Sequence, residues 1–167
     1  MVFNKDKRGF LLAEETLKII IALIAIVFLA YFLVQIYLSK VNGDKLQQAE
    51  ALLTDSQESL EILMNNVGEG NSLSRTVIEP EGWYIFSFSG EMSKPNSCSG
   101  ENCVCICDNA LWDGFDGTNQ QEKCDDGGAC LAQSDLGEFG NIKITGDLKI
   151  INVTKIAGEI YLIEDGS

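Results

Sequence analysis

Six cysteines carry the densest chemistry in the 167-residue chain: Cys98, Cys103, Cys105, Cys107, Cys124 and Cys130 all fall within 33 residues. On an exported chain an even count of this density reads as a disulfide framework, with 15 connectivities open to six cysteines. Cys103, Cys105 and Cys107 recur at period two, so on a strand they project from one face and each needs a partner from elsewhere. Cys98, Cys124 and Cys130 are the favoured partners, in an order the spacing leaves open. The competing chemistries are weaker. C-x-C-x-C is not the C-x₂-C spacing of zinc sites, and the chain contains no histidine. It also lacks the C-x-x-C pair of thiol oxidoreductases.

Without histidine, Ser-His-Asp and Cys-His catalysis are excluded, and no spacing singles out a pair of catalytic carboxylates. We therefore expect no enzyme and no cofactor. Asp113, Asp116 and Asn119 in a glycine-rich run, with Asp125 and Asp126 nearby, offer oxygen ligands for calcium. The run fails the EF-hand spacing, and turn chemistry accounts for its composition. Trp112 and Phe115 beside it are aromatic candidates for ligand contact. Asn152-Val153-Thr154 is an N-glycosylation acceptor, although it lies inside an expected strand.

These groups need elements to carry and position them, and the first is hydrophobic. Twenty residues from Ile19 to Leu38 carry no charge, with Gln35 as the one strongly polar interruption. At about 1.5 Å per residue they span the roughly 30 Å hydrocarbon core of a bilayer. Lys5, Lys7, Arg8 and Lys18 lie on the N-terminal side, which places the N-terminus in the cytoplasm and the rest outside. Residues 1–40 hold five Lys/Arg against three Asp/Glu, whereas residues 41–167 hold seven against twenty-two, a net charge of −15. So acidic an exterior repels nucleic acid and favours solubility, cations or basic partners.

The segment KDKRGFLLAEE sets a basic leader before Gly9, with Phe10 opening the apolar stretch and Glu14 fifth from Phe10. This resembles the prepilin signal of type IV pilins and their archaeal relatives. The resemblance covers about residues 5–40. It implies a membrane prepilin peptidase that cuts between Gly9 and Phe10, and an assembly role for Glu14 facing the freed amine of a neighbouring subunit. Physically, a carboxylate carried into an apolar bundle is costly unless paired, so it favours a register that supplies a cation. The other reading of Glu14 and Glu15 is a headgroup position beside Lys18.

Asn42-Gly43 is expected to interrupt the helix, after which Leu46, Ala49, Leu53, Ser56, Leu60, Leu63 and Val67 repeat at alternating spacings of three and four. That is an amphipathic helix ending near Asn65-Asn66, with Gly68 and Gly70 as stop signals. It either packs on its own globular head or continues a stalk. From Gly82 the texture turns to strands: 83–88, the Val104/Ile106 alternation, 142–144, 148–153 and 159–163, punctuated by Gly140-Asn141, Gly146-Asp147 and Ala157-Gly158.

The expected fold is α+β, a small disulfide-stapled antiparallel sheet against the second helix. The expected organisation is a leader at 1–9, a transmembrane and assembly helix at 10–40, an amphipathic helix at 41–70 and a Cys-rich β domain at 71–167. The expected function is a pilin-like subunit of a type IV pilus-like surface filament, a homo-oligomer or a co-assembly with other pilin subunits. A non-polymerising single-pass ectodomain used for adhesion or ligand binding is the alternative.

Overall fold

A computed structural model describes residues 7–55, 58–108 and 120–165, with side chains from Thr16 onward. The fold is α+β, and the chain divides into two compact units, Met1–Val41 and Asn42–Ser167.

Helix α1, Lys7–Glu50, runs through Asn42-Gly43 without a break, contrary to the expected interruption. A mid-helix glycine costs about 1 kcal/mol relative to alanine. Just beyond it Ala49 is fully buried and Leu46 packs on the core, and that burial outweighs the local cost. The interruption comes later. Ala51–Asp55 form a π turn that buries both Leu52 and Leu53. The extra residue of such a turn shifts the helical phase, so Leu52 joins a seam to which the 3–4 spacing had assigned only Leu53. The short helix α2, Leu60–Asn66, then restarts behind the N-cap Ser59, whose hydroxyl accepts from the Ile62 N–H.

The strands form two sheets where a single one was expected. The first is antiparallel, in the order β1 (Ser72–Val77), β6 (Lys149–Ile156), β7 (Glu159–Glu164). The second has the order β4 (Ala129–Ala132), β3 (Cys103–Cys107), β2 (Tyr84–Phe88), β5 (Ile142–Lys143). β1 and β4 escaped the sequence reading. SLSRTV places small polar residues on alternate positions and resembles a loop in composition, yet it pairs residue for residue with β6, Leu73 opposite Val153. The chain after β4 reaches across to the first sheet, where Leu136 bridges Ile160.

One core joins the two sheets and the helical segment that precedes them. It takes Ile85, Val104 and Ile106 from the second sheet, Ile151, Val153, Ile160 and Leu162 from the first, and Leu53, Leu60 and Met64 from the helical turns. Period-two alternation sends the other side chains of β2 and β3 to the opposite face. There Phe86, Phe88, Cys103, Cys105 and Cys107 form a second, smaller cluster with Cys98 and Cys124. β3 is therefore buried on both faces.

Candidate functional site

Two regions concentrate the chemistry expected above. The first is α1 between Leu17 and Leu38. Its large apolar side chains are exposed on every side, Val27 and Tyr37 each at 68%. The core helix of a water-soluble protein hides most of such a stretch, whereas here none of the most apolar window is buried. This is a helix long and apolar enough to cross a membrane, and its surface demands apolar surroundings all round. The backbone at Gly9, Phe10 and Glu14 is already helical, because α1 begins at Lys7. The side chains of Phe10 and Glu14 lie outside the described residues.

The second region is the cystine face of the second sheet. The bridges are Cys98–Cys103, Cys105–Cys130 and Cys107–Cys124, so each strand cysteine takes its partner from outside the strand. The favoured partners are the ones used, and no cysteine is free. The topology settles the order. β4 lies beside β3 with Cys130 directly opposite Cys105. Helix α3, Gln120–Gly127, brings Cys124 to Cys107, and a 3-10 turn at Asn96–Cys98 brings Cys98 to Cys103.

The first two bridges touch, the Cys105 Sγ lying 3.9 Å from the sulfurs of both Cys98 and Cys103. The sulfurs of these three residues sit within 4.8 Å of one another, a spacing that suits a metal ion. Metal ligation needs thiolates, and a bridged sulfur offers none. Tyr84, Phe86 and Phe88 line the same face with ring centroids 5.9 and 6.4 Å apart, and the Lys143 Nζ stands 5.7 Å from the Tyr84 ring centre. Gly128 is required here, since a Cβ would come within 2.6 Å of the Cys107 Cβ.

Of the acidic run, Asp113, Asp116 and Asn119 lie outside the described residues, as do Trp112 and Phe115. Asp125 is described, and its carboxylate is engaged. One oxygen accepts from the Asn96 N–H at 2.6 Å and the other from the Asn96 Nδ2 at 3.0 Å, tying α3 to the turn that carries Cys98. Asn152 and Thr154 sit on β6, the central strand of the first sheet, and both are half-buried.

Sequence reasoning missed two carboxylate clamps. The Lys155 ammonium lies 2.7 Å from the Asp135 carboxylate, which also accepts from Gln133. Partial desolvation pushes the Asp135 carboxyl upward, but the hydrogen bonds from Lys155 and Gln133 outweigh it and hold the group below the usual carboxylate range. The Glu69 carboxylate accepts from the N–H groups of Ala157 and Gly158 at the β6–β7 turn. No local spacing announces either pair, since Glu69 and Ala157 are 88 residues apart.

No protein-family model, no curated protein and no solved structure matches the chain.

Proposed function

We propose that this protein is a pilin-like structural subunit of a type IV pilus-like cell-surface filament, assembled through its N-terminal helix. The observation that carries the reading is the continuous helix from Lys7, apolar on all sides between Leu17 and Leu38, with none of its most apolar window buried. Such a surface is satisfied by lipid before assembly and by the same helix of neighbouring copies afterwards. The basic leader, Gly9, Phe10 and Glu14 supply the processing site and the register-setting carboxylate of that scheme. The three bridges suit an oxidising exterior, where they compensate for a modest core.

In this reading the chain inserts with its N-terminus in the cytoplasm, a prepilin peptidase removes residues 1–9, and the second unit decorates the filament surface. The mature N-terminus tests it. Mass spectrometry of the membrane-derived protein should find Phe10 first, and a chain that retains Met1 or Val2 in every molecule would overturn the proposal in favour of an anchored, non-polymerising ectodomain.

A further inference from the structure

The outer face of the first sheet sets apolar side chains about a polar one within a strongly acidic unit. Away from the core, β6 presents Ile150, Asn152, Thr154 and Ile156, flanked by Ser74 of β1 and Ile163 of β7. The isoleucines at 150, 156 and 163 are 44%, 52% and 49% exposed. Solvent-facing strand positions are ordinarily polar, and three half-exposed isoleucines on the strand of one asparagine and on its neighbour leave apolar area for a further group to cover.

We propose that the cover is an oligosaccharide carried covalently on the Asn152 Nδ2. Three observations carry this. Asn152-Val153-Thr154 is the one N-x-S/T acceptor in the chain, and at period two its asparagine and threonine share the outer face. The Asn152 side-chain amide makes no hydrogen bond among the described residues, although its backbone stands on a central strand. Its cross-strand neighbour on β1 is Ser74, which is small and exposed and leaves room above the sheet. The hydroxyls of Ser72, Ser74, Thr76 and Thr154 around it suit sugar hydroxyls, and the isoleucines suit the C–H faces of sugar rings.

The transfer balances with a glycosyl donor activated by a diphosphate leaving group. The Asn152 Nδ2 attacks the anomeric carbon, the N–C bond forms as the C–O bond to the diphosphate breaks, and the amide proton passes to a base of the transferase. In the closed sheet the Thr154 hydroxyl donates to the Ser72 Oγ at 3.1 Å, so the transfer precedes the pairing of β1 with β6. This inference needs only an exterior location and is independent of polymerisation.

Peptide mapping by mass spectrometry of the full chain, recovered from its native producer, is the test. The peptide containing Asn152 should carry a carbohydrate mass that Asn152→Gln and Thr154→Ala each abolish and that Thr154→Ser, which restores the hydroxyl, retains. The unmodified mass in the parent protein would overturn the proposal and leave the face to a protein partner. A modification that survives Thr154→Ala would overturn it as well.

Discussion

The Glu69 carboxylate accepts the Ala157 N–H at 2.6 Å and so clamps the hairpin between β6 and β7. The turn residues Ala157 and Gly158 both have positive φ, 55° and 85°, the signature of a two-residue hairpin that follows the right-handed twist of the strands. Alanine is strained there by about 1 kcal/mol, because its Cβ crowds the backbone in the left-handed region. Asparagine tolerates that region far better. Ala157→Asn should therefore raise stability by about 0.5–1 kcal/mol, and Glu69→Ala should lower it by about 1 kcal/mol. Urea unfolding of the detergent-solubilised full chain, followed by near-ultraviolet circular dichroism, measures both. A loss of stability on Ala157→Asn would refute the strain argument.

Acid should weaken the clamp between Asp135 and Lys155. The Asp135 carboxyl titrates below its ordinary value in the folded chain, so its contribution is complete above the unfolded value of about 3.9 and is lost as pH falls through the lower folded value. Asp135→Asn should then destabilise the protein at pH 7 and become nearly neutral relative to the parent near pH 2. A difference between the two proteins that does not change with pH would show that the ion pair contributes nothing.

The bridges should differ in worth according to the chain they close. Cys105–Cys130 spans 25 residues, Cys107–Cys124 spans 17 and Cys98–Cys103 spans 5. Loop-closure entropy then ranks their contributions at about 3.5, 3 and 2 kcal/mol. Paired Cys→Ser variants compared in urea should lower the unfolding midpoint in that order. Finding the five-residue bridge to be the most damaging loss would place the energetics in native packing around Phe86 and Phe88 instead.

The assembly reading makes Glu14 special and Glu15 ordinary. A residue one step round a helix points about 100° away, so only one of the two can face the seam between subunits. Glu14→Ala should leave membrane insertion intact, since the run from Ile19 to Leu38 is unchanged, while filament yield falls sharply. Glu15→Ala should assemble nearly as well as the parent. Electron microscopy of sheared surface fractions decides, and equal assembly of both variants, or no filaments from the parent, would end the pilin reading.

Local composition determined a good deal of this protein. The uncharged run Ile19–Leu38 specifies an apolar helix because transfer free energy adds residue by residue along the chain. The Val104/Ile106 alternation specifies a strand with two unlike faces, and the period-two cysteines oblige their partners to come from elsewhere. Those are properties of a segment by itself. The tertiary structure decided the rest, because pairing is a property of two distant segments. β1 carries too little apolar character to announce itself and becomes a strand when Ser72–Val77 meets β6 in register. The bridge order follows from β4 lying beside β3, which sets Cys130 opposite Cys105. Helix α1 passes Asn42-Gly43 because Leu46 and Ala49 find a core to enter, and a glycine penalty of about 1 kcal/mol yields to that burial. Local propensity proposes where an element ends, and contacts that arrive from far along the chain decide it.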